Sequence, residues 1–426
     1  PSRNRADWLL GVNSSYAICK AVGFGNNSLG RVQTPVLAEI CRRYRERENH
    51  MPADSWPVFI SLCKNDRILK MRHVDDLVAR REALALYEDC KAAKNARITA
   101  VRKRTEEIGA PALYNLAELQ KDANRYHGLT AIQVQEIAQS LYEKRLISYP
   151  RTSSRLLPGD VYDTLPPVME KMLSRKEFRQ YAGMVDLAAP QDSIGAQDTM
   201  EHHAIIITGI QPGKLGREEM QVYTLIVGRV LETFMPPCKV EYTTVDAVCA
   251  ARKFRIRTYR ILEKGWLGIF EREHIVAKGC MPCPMLPEFF QEEILPVAGC
   301  SLIHKKSLPV SPYTDEELVD YMDKAGLGTV STRTNILRTL LERKYIRYSG
   351  KYVVPTPKGL FLYETVRGMK VADASLTSGW ETELARIERG ELSQEEFLDG
   401  VLETVNEVTG EIFRNHPVEK RPQGTI

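Results

Sequence analysis

Apolar residues return every three or four positions over residues 130–144, with Ile137 and Leu141 on the recurring face, and predict an amphipathic helix. The period stops at Ile147-Ser148-Tyr149-Pro150. A proline disfavours the α region for the residue before it, so the chain should leave the helix extended at Tyr149. Alternate residues of an extended segment share a side, which puts Arg151 beside the Tyr149 ring. Elsewhere, two helices are expected within residues 1–55, the second with Thr34 as N-cap and Pro35 in its first turn. Residues 58–62 and 97–101 alternate as strands around a helix at 80–94. Helical periods follow near 113–119, 162–173 and 177–182, and an apolar strand at 204–208 stands behind His202 and His203. Residues 240–250 and 253–260 read as antiparallel strands, with Lys253, Arg255 and Arg257 on one face and Phe254 and Ile256 on the other. Residues 312–426 read as mostly helical, opened by a Thr314/Glu317 capping box.

This last unit repeats the Tyr149 unit at an ungapped offset of 199: Thr130 matches Thr329, Ile137 matches Ile336, Leu141 matches Leu340, Ile147 matches Ile346 and Tyr149 matches Tyr348. Helix, turn, helix and strand is the pattern of a helix-turn-helix or winged-helix module, and two of them favour DNA handling. Only the first continues Pro-Arg-Thr, so the second reads as a binding copy.

Composition narrows this picture. A chain of 426 residues has room for two or three domains, and its net charge of +4 leaves any nucleic-acid surface to local clustering, such as Arg102-Lys103-Arg104. Nine scattered cysteines, an odd number, fit reduced thiols and a cytoplasmic protein. No secretory signal or membrane-length apolar run is evident, so no membrane association is expected. Cys280-Met-Pro-Cys283 has the spacing of half a zinc site, but no second close pair completes it. The chain opens at Pro1 as if already inside a domain, which suggests a fragment.

The candidate chemistry centres on Tyr149. A phenol with a reference pKa of about 10 is a poor nucleophile unless neighbouring charge stabilises the phenolate. A guanidinium two residues away supplies such charge and can grip a phosphate with its planar fork. Gly30-Arg31-Val32-Gln33-Thr34 is a tight turn running into a helix N-terminus, where backbone N–H groups favour anions and Arg31 and Gln33 add donors.

Taken in order, Asp7-Trp8-Leu9, Gly30-Arg31-Val32-Gln33-Thr34-Pro35, Leu113-Tyr114-Asn115-Leu116, Ser148-Tyr149-Pro150-Arg151-Thr152, His202-His203-Ala204 and Gly326-Leu327-Gly328-Thr329 through Arg333 resemble the type IA DNA topoisomerases, and within them the topoisomerase III branch. The resemblance implies a multidomain α+β fold: a toroidal core with winged-helix-like helical domains and an antiparallel β arch. Its segments would be a helical groove domain (1–55 and 296–426), a β arch (56–108 and 216–295) and a winged-helix-like domain carrying the tyrosine (109–215). It implies transient single-strand cleavage through a 5′-phosphotyrosine, strand passage and religation without ATP. Tyr149 would be the nucleophile, Arg151 would position it against the phosphate, and His202 would touch the phosphate. Arg31, Gln33, Thr152, His203, Thr329, Ser331 and Arg333 fall in DNA-binding blocks. The chain departs from the family at Ser153, Ile207 and Val330.

The family's Mg²⁺ site lies in an amino-terminal Toprim domain whose Asp-x-Asp cluster is absent here. The expectation is therefore a monomer that binds single-stranded DNA, holds no metal itself and cleaves poorly alone. The alternative is a non-catalytic single-stranded nucleic-acid clamp. The dispersed Arg and His set of a tyrosine recombinase is not evident.

Overall fold

The computed structural model of the chain describes residues 2–22, 27–176, 178–186, 202–330 and 332–416. Its sheet draws strands from two distant stretches of sequence. Strand Arg67–His73 pairs with Val58–Lys64, which pairs with Ile294–Leu302, then Asn95–Ile108, Cys238–Cys249 and Arg252–Glu263. Arg72 and His73 return to pair with Arg255 and Phe254, which closes the sheet into a barrel. The predicted alternation holds at Ile60, Leu62, Val245 and Phe254, which point inward and are buried, as is Met71 in a strand the sequence did not predict. Helix Arg80–Ala92 sets Ala83, Leu86 and Cys90 into the same core. The strand predicted at 97–101 runs on to Ile108 and absorbs Arg102-Lys103-Arg104, whose backbones pair with Thr244, Thr243 and Tyr242. Arg102 and Arg255 both end on Asp246, so part of the apparent basic face is neutralised.

The two ends of the chain share one helical core. Helices Ser2–Val22 and Gln33–Glu48 pack with Asp315–Lys324, Arg333–Glu342, Pro357–Val366 and Gln394–Asn415 around Leu10, Ile40, Leu318 and Val401. Helix Gln33–Glu48 begins one residue before the expected cap, with Val32 as N-cap. The Thr34 hydroxyl is drawn back into the turn instead, where it accepts the Gly30 N–H at 2.9 Å.

The middle of the chain forms a separate body from helices Leu116–His127, Ala131–Glu143, Leu165–Leu173 and Arg217–Thr233 around Leu119, Leu141, Ile205 and Ile226. The helix expected over 162–173 is split at Asp163-Thr164, because the prolines at 166 and 167 suit the first turn of a new helix. Of the helix expected at 177–182, residue 177 lies outside the described residues and Arg179–Tyr181 is a 3-10 turn.

The repeat seen in the sequence extends to the backbone. Asn115 and Thr314, 199 residues apart, both cap a first helix by accepting the N–H three residues on. After the second helix Arg145 and Lys344, again equivalent, turn left-handed with φ of 58° and 59°. The next N–H then reaches back to Leu141 in one copy and Leu340 in the other.

Candidate active site

Tyr149 is held by the segment before it. Ile147 makes an antiparallel bridge with Ile207, and the Ser148 N–H donates to the Ile206 carbonyl at 2.9 Å. The Ser148 hydroxyl donates to the Ala204 carbonyl and accepts the Ile206 N–H, so two strand-like segments are stitched where a full ladder is lacking. Beyond the buried Pro150, Thr152 is 2 % exposed; its hydroxyl donates to the His202 carbonyl and its own carbonyl accepts the Leu116 N–H. Arg155 closes the loop by donating to the carbonyls of Ala112 and Leu113. Each neighbour of Tyr149 is fixed while its ring stays half-buried.

The ring lies 4.5 Å from the His202 ring, centroid to centroid, at 48°, and 5.5 Å from Tyr142 edge-on. The His203 Nδ1 lies 2.7 Å from the Ala204 carbonyl. Arg151 is half-buried, and its Nε has no hydrogen-bond partner within the protein. That Nε is itself shielded from solvent, a buried donor left without a protein partner.

A second set of predicted residues gathers at another place. Arg31, Gln33 and Thr329 line one cavity of about 340 Å³ together with Arg3, Asp7 and Glu381. Arg31 is not an open donor there: it is 5 % exposed, with Nε on Asp7 at 2.7 Å and Nη1 on Glu381 at 2.9 Å. Burial works to lower its pKa, but Asp7 and Glu381 outweigh that and raise it. Arg333 is likewise buried, on Asp323 at 2.6 Å. Gln33 reaches Ser28, and the Thr329 N–H donates to the Thr332 hydroxyl. Ser331 lies outside the described residues.

Sequence reasoning missed a buried charge cluster at the base of the Tyr149 body. Arg229 donates to Asp122 at 2.7 Å and lies 3.1 Å from Glu232; Arg272 reaches Asp122 at 2.9 Å. Tyr114 donates to Asp122 and accepts from Arg272. Burial pushes the Glu232 carboxyl up to about 7, against the pull of Arg272 and Arg229. No spacing rule joins Tyr114, Asp122, Arg229, Glu232 and Arg272, since four separate segments supply them.

Among the described residues no three His, Cys, Asp or Glu side chains converge where a metal ion could be held. The described residues do not fit the Mg²⁺ that the resemblance implies. No described helix is long and apolar enough to cross a membrane.

A family model described as DNA topoisomerase matches residues 1–399. DNA topoisomerase 1 of Methanocaldococcus jannaschii is 29 % identical over 407 residues, covering 93 % of this chain and 52 % of that protein. DNA topoisomerase 3 of Bacillus licheniformis is 28 % identical, covering 96 % and 60 %. The chain thus spans between half and six-tenths of the length of these relatives. The structure of full-length topoisomerase I from Thermotoga maritima matches 96 % of this chain and 67 % of that one with a TM-score of 0.76 at 20 % identity, a likeness of fold.

Proposed function

Because the chain belongs to the type IA DNA topoisomerases, we propose that Tyr149 breaks and reseals one strand of DNA. The phenol loses its proton as Oη bonds to phosphorus; the bond from phosphorus to the 3′ oxygen breaks, and that oxygen takes up a proton. The 5′ end stays on Tyr149 as a phosphotyrosine ester, which stores the bond so that religation needs no ATP. Arg151 grips the phosphate and His202 touches it. The observation that carries this reading is the half-buried Tyr149 ring against His202, with the Arg151 Nε left without a partner.

Single-stranded DNA would run along the cavity lined by Gln33 and Thr329, where Arg31, held by Asp7 and Glu381, acts as a wall that fixes the groove's shape. His203, Thr152 and Arg333 would support that path through the backbone. The two helix–helix–strand units would be winged-helix-like, and the barrel would complete a ring around a passing strand. We further propose that the 426-residue chain acts as a monomer and, alone, binds single strands while cleaving ordinary DNA poorly. Among its described residues no three His, Cys, Asp or Glu side chains converge to hold a cation that would stabilise the leaving 3′ oxygen.

A single strand with sulfur replacing the scissile 3′ oxygen tests this directly, since a thiolate leaves without such help. The expected result is a covalent adduct mapped to Tyr149 and lost in Tyr149→Phe, with salt-dependent binding retained in both. Binding without any adduct would favour the non-catalytic clamp, and an adduct on another side chain would overturn the assignment.

A further inference from the structure

The Tyr149 body and its repeat meet face to face. Helix Leu116–His127 runs antiparallel to Asp315–Lys324: Arg125 pairs with Glu316, and the equivalent positions Lys121 and Asp320 bind each other at 2.8 Å. Like positions meeting across antiparallel helices are the mark of a two-fold interface, built here within one chain. Gln120 donates to the Thr334 hydroxyl at 3.1 Å and Arg338 pairs with Glu136 at 2.6 Å.

One asymmetric contact is buried at the start of a helix. Helix Ala131–Glu143 has its own capping box, in which Thr130 accepts the Gln133 N–H. That leaves the Ala131 N–H among the orphan donors of the first turn. Asp315, 1 % exposed and in the other copy, accepts it at 2.6 Å. The Tyr348 hydroxyl holds both oxygens of Asp315 at 3.1 and 2.9 Å. Tyr348 is the repeat's counterpart of Tyr149, and Leu116 stands where a reciprocal carboxylate would be.

We propose that Asp315 and Tyr348 are positioning residues for Tyr149. The carboxylate caps, from the neighbouring copy, the N-terminus of the helix whose far end delivers the nucleophile. A negative charge at a helix N-terminus is favourable both as an acceptor and against the helix dipole. Burial raises the Asp315 pKa, and the Ala131 N–H and the Tyr348 hydroxyl oppose it in part by hydrogen-bonding the carboxylate. The half-exposed pair Lys121–Asp320 and the more exposed pair Glu136–Arg338 add little by themselves. Register therefore rests on the buried contacts, Asp315 with Ala131 and Gln120 with Thr334. Because Asp315 opens the helix that precedes the Thr329 turn, the same contact sets Tyr149 against the proposed groove. The contact is a property of the fold; only its catalytic use rests on the proposed chemistry.

The test uses the 426-residue chain with Asp315→Asn, Asp315→Glu and Tyr348→Phe. In hydrogen exchange, amides 131–134 should open about tenfold faster in Asp315→Asn and less so in Tyr348→Phe, as for loss of a charge-assisted hydrogen bond, with the barrel strands unchanged. Adduct formation on the sulfur-containing strand should fall by a similar factor at unchanged DNA affinity, and Asp315→Glu should restore part of it. Unchanged exchange at 131–134 in Asp315→Asn and Tyr348→Phe would overturn the proposal, as would adduct formation that falls only with overall stability. If the parent chain formed no adduct, the exchange result would still decide the contact, so this failure and that of the cleavage reading are separable.

Discussion

The two copies of the helix–helix–strand unit share their backbone and treat their tyrosines in opposite ways. In both, a left-handed residue ends the second helix and the chain extends into the tyrosine. In the second copy Ile346–Ser349 pairs fully with Tyr352–Pro355, and Tyr348 is turned onto Asp315, where burial and that carboxylate push its pKa up. In the first copy Ile147 makes a single bridge, Pro150 stops the ladder, and Tyr149 is left half-buried beside His202. The same scaffold thus makes a structural tyrosine when the ladder continues and an accessible one when a proline cuts it short. The residue after the tyrosine decides its role.

The sharpest way to break this comparison is at the residue two beyond each tyrosine, Arg151 in one copy and Gly350 in the other. Arg151→Gly gives the first copy the second copy's residue. Adduct formation on the sulfur-containing strand should fall by about a thousand-fold, the cost of losing a preorganised charge at a developing anion. The melting temperature should stay near that of the parent, because the Arg151 Nε has no protein partner to lose. Parent-like adduct formation would remove Arg151 from the chemistry.

The copies also differ beneath the first helix. Asp122 takes Arg229 and Arg272, whereas its counterpart in the repeat is Tyr321. Arg272→Ala leaves Asp122 and Glu232 buried with one cation instead of two. Unfolding in urea should show a loss of about 3 kcal/mol, as for a broken buried ion pair. Lys121→Ala, at the half-exposed seam, should cost under about 1 kcal/mol. Equal costs would mean that the cluster is no better desolvated than the surface.

Much of this contrast is legible in the sequence, and the limit is one of range. The 199-residue repeat, the helix into Tyr149 and the proline break all rest on neighbours a few positions apart, where periodicity and turn chemistry act. The alternation Phe254–Ile256 likewise foretold which face of the strand is buried. Contacts between distant segments left no such trace. Arg31 read as an anion donor because Asp7 and Glu381, 24 and 350 residues away, cannot be seen to converge on it. The Arg72–Arg255 closure of the barrel and the bridge of Ile147 to Ile207 are hidden for the same reason. Thr34 misled differently: its hydroxyl does cap, but caps Gly30 in the turn rather than the first turn of the helix.

The buried cluster also gives the first copy a pH response near neutrality. With the Glu232 carboxyl raised to about 7, the folded chain holds a proton that the unfolded chain, with an ordinary carboxyl, has released. Stability should therefore fall as pH rises toward 7, by about 2 kcal/mol between pH 5.5 and 7.5. Glu232→Gln, which is neutral throughout, should flatten that slope in urea titrations at several pH values. A slope unchanged by the substitution would assign the response to another group.

The smallest effect probes what the copies have in common. Arg145 and Lys344 occupy the left-handed region with φ of 58° and 59°, at a cost of about 1 kcal/mol for a residue with a Cβ. Glycine removes that strain but loses more backbone entropy on folding, which offsets part of the gain. Arg145→Gly and Lys344→Gly should each stabilise by a few tenths of a kcal/mol, and by similar amounts, since the turn is the same in both. Neither should change adduct formation at Tyr149, because the Ile147–Ile207 bridge and the Ser148 hydrogen bonds lie between that turn and the tyrosine. Unequal gains would show that the two backbones, alike in geometry, carry different strain. The likeness of the copies would then be one of shape alone.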